Sequence, residues 1–209
     1  MKVIIVTGTP GTGKTTLSKK LAKKLDFGYL DVNETIKKYN LSEGYDKKRK
    51  TKIIDVKKLN MALIKEINNY NNSIKKISMT KSNKRIKYTR KSKIFGVLKI
   101  SDFHDNKIKS IKNKKNNRNI KNGIIIDSHL SHYLPERYVD LCIVTKCGLK
   151  ELKRRLKKKK YSESKIRENL DAEIFDVCLN EAEENKHNLI VINTTKGINI
   201  TSFAKKLVI

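Results

Sequence analysis

A glycine-rich segment near the N-terminus has the residue types and spacing needed to bind phosphate. It reads Gly8-Thr-Pro-Gly-Thr-Gly13-Lys14-Thr15, which fits the pattern GxxxxGK followed by Ser or Thr. In that geometry, backbone N–H groups and a helix N-terminus point at a phosphate. The Lys14 ammonium reaches the β- and γ-oxygens, and the Thr15 hydroxyl ligates Mg²⁺. The segment predicts a nucleoside triphosphate site; a glycine-rich turn without nucleotide is the alternative.

A second set of reactive side chains follows an apolar run at 124–126. Asp127 stands where a predicted strand ends, a position at which an acid holds Mg²⁺ directly or through water. His129 can orient a water molecule or a phosphate. The alternatives are that Asp127 caps the next helix and that His129 packs structurally. For His132 we favour the structural interpretation.

A basic run between 152 and 169 offers cations that could close over a transferred phosphoryl group. Arg155 and Arg167 are the preferred candidates, because a guanidinium grips phosphate oxygens with two parallel N–H groups. Lys159 is added to them, whereas most lysines of the run are expected to form a solvated face. After the last predicted strand, the backbone and the stem of Lys196 could cover a purine or simply form a turn.

Short apolar runs alternate with helical patterns, and these elements must position the groups above. Strands are predicted at 2–6, 29–31, 124–127, 141–145 and 189–193, and helices at 14–25, 54–69, 149–157, 163–186 and 199–207. Five strands alternating with helices indicate an α/β fold with a doubly wound parallel sheet. In such a sheet the phosphate-binding segment and Asp127 lie at the same edge.

The charge of the chain is strongly positive and unevenly distributed. The 209 residues carry 49 Lys and Arg against 21 Asp and Glu, a net charge of +28, which suits nucleotide phosphates or RNA as partners. Residues 75–121 hold 17 of the cations and only two acids. We interpret 73–122 as a basic, largely mobile insertion in which only 94–100 looks strand-like. Three aromatic residues there could stack on RNA bases, but an AT-rich coding sequence explains the composition equally.

The cysteine pattern and the hydropathy exclude two classes of protein. The cysteines Cys142, Cys147 and Cys178 are odd in number and lack a CxxC spacing, so neither a disulfide framework nor a zinc site is expected. No stretch approaches 18 apolar residues, so we expect a soluble cytoplasmic protein without a membrane partner.

The motifs together resemble the small adenylate-kinase-like nucleotide kinases of the isoenzyme-6 type. The matching pieces are VTGTPGTGKTTLSKKLAKKL, GYD, IIIDSHLSHYLPERYVDLCIV and LKRRLKKKKYSESKIRENLDAEIFDV. The resemblance implies a P-loop NTPase of the nucleoside monophosphate kinase type, with a core formed by 1–72 and 123–209. It also implies a monophosphate-binding region at about 31–54 and a lid at about 158–168. The implied ATP contacts are Gly11, Gly13, Lys14, Thr15 and Thr16, to which we add Lys159 and Lys196.

The resemblance implies a broad-specificity kinase that uses ATP and Mg²⁺, with AMP as an acceptor. It further implies an ATPase activity and a transient role on the small ribosomal subunit, with a subunit protein and pre-rRNA as partners. A rival hypothesis is an ATP-switched RNA- or ribosome-binding assembly factor with incidental kinase activity. One departure stands in the lid, where Lys159-Lys160 replaces the Arg-Gly pair usual in the family.

Overall fold

A computed structural model describes residues 1–47, 49, 51–92 and 122–207. The strands are β1 (Lys2–Thr7), β2 (Gly28–Asp31), β3 (Ser42–Asp46), β4 (Thr51–Ile54), β5 (Gly123–Asp127), β6 (Leu141–Lys146) and β7 (Leu189–Asn193). The helices are α1 (Lys14–Leu25), α2 (Val32–Lys38), α3 (Val56–Ser92), α4 (Leu149–Lys158), α5 (Glu163–Ile174), α6 (Val177–Glu184) and α7 (Ile200–Leu207). Two 3₁₀ turns, Ser131–Tyr133 and Glu136–Tyr138, follow β5.

Five strands form a parallel sheet in the order β2-β5-β1-β6-β7, which confirms the predicted fold class. The central strand β1 pairs with β5 on one side and β6 on the other, so the strand order reverses there. Ligands of open α/β sheets bind in the crevice at such a reversal, beyond the carboxyl ends of the strands. The topology therefore places the phosphate-binding segment, which follows β1, at this crevice.

The strands are buried on both faces because helices cover both sides of the sheet. Side chains alternate along β1, so that Val3 and Ile5 pack on one face while Ile4 and Val6 pack on the other. Helices α2, α3 and α6 cover the first face, and helices α1 and α7 cover the second. Continuous apolar strands are typical of a parallel sheet of this kind.

Three predicted elements differ from the observed ones. The helix predicted at 54–69 continues to Ser92, because no Gly or Pro interrupts it although the apolar period fades. The helix predicted at 163–186 is two helices, α5 and α6, separated at Asp176, whose φ is 53°. The polar stretch after β2 forms helix α2 and an antiparallel hairpin of β3 and β4.

Contacts divide the chain into two compact units, Met1–Tyr70 with Lys121–Ile209, and Asn71–Ile120. The first unit contains the parallel sheet and the β3–β4 hairpin. In the second unit, residues 71–92 are helical, and the predicted strand at 94–100 lies outside the described residues. Within the described chain, none of the helices is long and apolar enough to span a membrane.

Candidate functional site

The phosphate loop, Gly8–Thr15, connects β1 to α1 and packs closely against α4. Gly13 adopts a left-handed φ of 97° at the start of α1, a conformation that glycine reaches without steric cost. A Cβ atom on Gly11 would lie 2.9 Å from side-chain carbons of both Leu152 and Leu156, so only glycine allows this approach. Thr12 fixes the loop further, because its hydroxyl donates to the carbonyl of Thr9 at 2.8 Å. The loop is therefore shaped before any ligand arrives.

Lys14 folds back over the loop that precedes it. Its Nζ donates to the carbonyl oxygens of Gly8 at 2.7 Å and Thr9 at 3.1 Å. Burial lowers the pKa of Lys14 to about 8, although the charge of Asp127 opposes the shift. When a phosphate binds in the loop, its oxygens can replace these two carbonyl oxygens as the hydrogen-bond acceptors of the Lys14 ammonium.

Asp127 ends β5 directly beside the phosphate loop. Its partner across the sheet is Val6 of β1, and its side chain is 4% exposed. Oδ2 accepts a hydrogen bond from the Tyr29 hydroxyl at 3.1 Å, whereas buried Oδ1 has no hydrogen-bond partner among the described residues. The side chain thus caps no helix through a described hydrogen bond. A buried carboxylate oxygen without a partner fits a Mg²⁺ ion or one of its water ligands.

His129 lies in the turn after β5 and lines the same cavity as Lys14. Its ring is accessible from the cavity, but surrounding protein atoms and the positive charges of Lys14, His132 and Lys165 lower the pKa of His129 to about 4. The imidazole is therefore neutral at pH 7, so one ring nitrogen is free to accept a hydrogen bond.

A cavity of about 1150 Å³ opens beyond the strand ends. This volume exceeds the roughly 300–1,000 Å³ of common ligand pockets. Eight of the predicted site residues line it: Gly11, Gly13, Lys14, Thr15, Thr16, His129, Arg155 and Lys159. Three do not: Asp127, which is buried behind the loop, and Arg167 and Lys196, which are both exposed.

The three cations predicted to reach phosphate in the lid are placed differently. Lys159 lines the cavity at the end of α4. Arg155 also lines it, but its guanidinium donates to Glu151 at 2.8 Å and to the carbonyl of Thr194 at 2.9 Å. These bonds tie α4 to the loop after β7. Arg155 would have to break them to reach a transferred phosphoryl group.

Arg167 is placed on the face of α5 that points away from the cavity, which corrects its predicted position at the site. The cation of α5 that lines the cavity is Lys165, two residues earlier. Two residues of α-helix correspond to about 200° of rotation, so the two side chains lie on opposite faces. The sequence analysis preferred Arg167 to the neighbouring lysines as a phosphate-binding cation because of its guanidinium group. Asn169, one helical turn after Lys165, is buried and lines the cavity on the same face, but the sequence gives no sign that this polar residue is buried.

The β3–β4 hairpin supplies the far wall of the cavity through Arg49 and Thr51. Arg49 lies 3.5 Å from Glu168 of α5, measured from Nε to Oε1, and its carbonyl accepts a hydrogen bond from Lys165 at 3.1 Å. At the other end of the cavity Gly197, rather than its neighbour Lys196, forms the lining. The cavity is therefore bounded both by the phosphate loop and by the region predicted to bind a monophosphate.

Comparisons with known proteins agree with this geometry. A family model described as an AAA domain matches residues 4–176. A protein named putative adenylate kinase from Methanosarcina mazei is 34% identical over 193 residues, covering 92% of this chain and 79% of that protein. A protein named adenylate kinase isoenzyme 6 homolog from Caenorhabditis elegans is 29% identical, covering 90% and 76%.

A solved structure of a sugar kinase from Janibacter is similar in fold. Its TM-score is 0.50 at 12% sequence identity, and the match covers 100% of this chain and 92% of the other. At that identity the likeness concerns the fold alone.

Proposed function

The chain belongs to the family of the archaeal putative adenylate kinases and the adenylate kinase isoenzyme 6 homologs, which makes it an ATP-dependent nucleoside monophosphate kinase; we propose that it phosphorylates AMP and other nucleoside monophosphates with Mg²⁺ as its cofactor. One observation carries this proposal: a single cavity is lined by Lys14 of the phosphate loop and by Arg49 and Thr51 of the hairpin. A donor phosphate at the loop and an acceptor phosphate near the hairpin would then share one open cavity.

The transfer needs alignment and charge neutralisation more than proton transfer. The phosphate of a nucleoside monophosphate is mostly dianionic at pH 7, because its second pKa is about 6. The protein therefore has to place this oxygen in line with the γ-phosphorus and to balance the charge. Lys14, Lys159 and Lys165 line the cavity and are proposed to supply positive charge.

Thr15 and Asp127 are the residues that would hold Mg²⁺. The hydroxyl of Thr15 lines the cavity, and the unpartnered Oδ1 of Asp127 lies behind the loop. Both are hard oxygen donors, which Mg²⁺ prefers. When bound, the ion neutralises charge on the β- and γ-oxygens of the triphosphate.

ATP hydrolysis is the proposed second activity, and His129 is the residue assigned to it. A water molecule, unlike a monophosphate, has to be oriented and partly deprotonated during attack. The neutral imidazole of His129 lines the cavity and can accept a hydrogen bond from the water, which orients it; because the pKa of His129 is only about 4, its role as a base is weak.

Coupled product formation tests the kinase proposal. Purified protein supplied with ATP, Mg²⁺ and AMP should form ADP faster than the hydrolytic background allows, and replacing AMP by CMP or UMP tests the breadth of the acceptor. The Lys14→Ala variant should lose both transfer and hydrolysis. ADP formation that is independent of AMP would refute the transferase function.

We further propose a transient role on the small ribosomal subunit, with a subunit protein and pre-rRNA as partners. The support is the resemblance to the isoenzyme-6 type and the net charge of +28. The alternative is an assembly factor for which ATP acts as a switch and transfer to AMP is incidental. Phosphate release measured with and without rRNA or a small-subunit protein discriminates the two, because only the switch requires stimulation by the partner.

A further inference from the structure

Three side chains with metal-binding atoms meet at one wall of the cavity. His132 comes from the first 3₁₀ turn after β5, and Cys178 and Glu181 come from α6. One imidazole nitrogen, the thiol sulfur and one carboxylate oxygen all lie within 4.8 Å of one another. Cys178 and Glu181 are three residues apart on a helix, so they present their side chains on the same face. Both also line the cavity.

The imidazole nitrogen that faces this cluster is already paired with one of the other two residues. His132 is 1% exposed, and its Nε2 lies 2.9 Å from Oε2 of Glu181. The two atoms are close but poorly aligned for a hydrogen bond. A cation between them and the Cys178 sulfur would use the lone pairs of both atoms.

The opposite atoms of the same side chains are held in place. Nδ1 of His132 is hydrogen-bonded to the Thr7 hydroxyl at 2.7 Å. Oε1 of Glu181 accepts from the Tyr133 hydroxyl at 2.8 Å. Histidines that ligate metals are oriented in this way through their second ring nitrogen, and ligating carboxylates are likewise hydrogen-bonded. The arrangement leaves Nε2 and Oε2 directed at the space beside Cys178.

We propose that His132, Cys178 and Glu181 bind a Zn²⁺ ion whose fourth ligand position opens to the cavity. One nitrogen, one sulfur and one oxygen ligand with an open fourth position suit Zn²⁺, and the thiolate disfavours Mg²⁺. Zinc bonds of about 2.0–2.3 Å place tetrahedral ligands roughly 3.3–3.8 Å apart. The ligand atoms, which lie within 4.8 Å of one another, would have to approach by up to about 1 Å on binding.

Zinc binding changes both the protonation and the charge of this cluster. On binding, the Cys178 thiol releases its proton to solvent and forms the sulfur–zinc bond, while neutral His132 and ionised Glu181 donate lone pairs. The thiolate and the carboxylate together cancel the charge of the ion, so the occupied site is neutral, whereas the empty site carries the negative charge of Glu181. The bound ion would also tie α6 to the turn after β5. The proposal is independent of the kinase function.

Cobalt substitution of the full chain tests this site. Equimolar Co²⁺ is expected to produce a thiolate-to-cobalt charge-transfer band, which Zn²⁺ removes by displacement and excess Mg²⁺ does not. Cys178→Ser should lose the band, whereas the matched variant Cys147→Ser should keep it. Zn²⁺ should also raise the thermal unfolding temperature of the wild type and of Cys147→Ser, but not that of Cys178→Ser.

A second variant separates binding from folding. Thr7→Val removes the hydroxyl that orients His132 with little change in volume, and it should weaken Zn²⁺ binding about tenfold or more. Circular dichroism establishes that each variant is folded before metal is added. A band that survives Cys178→Ser, or a folded wild type that gives no band, would overturn the proposal and leave a structural pair of His132 and Glu181.

Discussion

Lys14 is held by backbone carbonyl oxygens and not by an acidic side chain. The ammonium donates to the carbonyls of Gly8 and Thr9, and burial keeps its pKa at about 8. Neutral carbonyl oxygens are weaker partners than a carboxylate, so a phosphate can replace them at little cost. The residue is thus poised to lose its proton in alkaline solution unless an anion is bound.

The affinity for ATP should therefore depend on pH through Lys14. The anion binds the ammonium form and raises the pKa of Lys14 in the complex. The affinity is then constant below a pH of about 8 and falls above it by up to about tenfold per pH unit. Calorimetric titration with ATP on both sides of that pH measures the profile. Lys14→Arg is the control, because a guanidinium remains charged; a flat wild-type profile would contradict the shifted pKa.

His129 should separate the two proposed activities. His129→Ala is expected to reduce ATP hydrolysis by about 100-fold, the usual contribution of a positioned acid or base, and to reduce transfer to AMP much less. Measuring phosphate release without AMP and ADP formation with AMP gives both rates for one preparation. His132→Ala is not a suitable control because His132 is fully buried, so Ser128→Ala, one residue away, is used. Equal losses of both rates would refute this division of labour.

The end of α4 has the hydrogen bonds of a Schellman motif, but a lysine occupies its left-handed position. The N–H of Tyr161 donates to the carbonyl of Leu156, and the N–H of Lys160 donates to the carbonyl of Lys157. Tyr161 also packs on the cluster that contains Leu156. Lys160 has a φ of 58°, in a position where glycine is usual. Lysine at this position therefore leaves the turn intact, at the cost of backbone strain.

Restoring glycine should relieve that strain. Lys160→Gly is expected to raise the free energy of unfolding by about 0.5–1 kcal/mol, because the left-handed conformation costs about 1–2 kcal/mol and glycine's unfolded-state entropy offsets part of the gain. Lys153→Gly, in the exposed interior of α4, should instead lower it by about 1 kcal/mol. Urea unfolding measures both. A destabilised Lys160→Gly variant would show that the conformation carries no strain.

The two faces of α5 should differ in their effect on transfer. Lys165 faces the cavity and contacts the hairpin through the carbonyl of Arg49, whereas Arg167 faces away. Lys165→Ala removes one of the cations proposed to balance phosphate charge in the cavity, so it should lower kcat/KM for AMP by up to about tenfold. The matched variant Arg167→Ala should stay close to wild type. A larger loss in Arg167→Ala would restore its predicted place at the site.

At the scale of the whole molecule, the positive charge has two distinct parts. A few cations line the cavity, and a large share lies in the segment 75–121. Phosphate contacts with nucleic acid release counterions, so their number can be read from the salt dependence of binding. The salt dependence therefore reports phosphate contacts, whatever the origin of the charge.

Neutralising the basic segment tests its contact with RNA. A variant with the cations of 93–121 changed to Gln is expected to bind single-stranded rRNA more weakly than the full chain. Its affinity should also depend less steeply on salt, by about 0.7 logarithmic units per lost phosphate contact. The nine positions are Lys93, Lys99, Lys107, Lys109, Lys112, Lys114, Lys115, Arg118 and Lys121. Identical slopes for both proteins would show that these nine cations make no phosphate contacts.

Local patterns were sufficient for most of the fold and for the donor side of the cavity. The strands of the sheet are short, mostly apolar runs. The phosphate loop is a continuous motif in which Lys14 donates to the carbonyl of Gly8, only six residues earlier. The hairpin of β3 and β4 was not predicted, because its polar strands form a two-stranded sheet of their own without an apolar alternation. The break at Asp176 was missed because no Gly or Pro marks it in the sequence.

The sequence by itself determined the strands of the parallel sheet and the phosphate loop, because each is a continuous local pattern, although β1 and β2 pair with strands more than 90 residues away. Only the tertiary structure decided which cations face the cavity, since the face of α5 depends on what packs against it. The cluster of His132, Cys178 and Glu181 likewise depends on tertiary packing. This cluster has no recognisable spacing in the sequence. Its residues come from the turn after β5 and from α6, which meet only when α6 packs against the sheet.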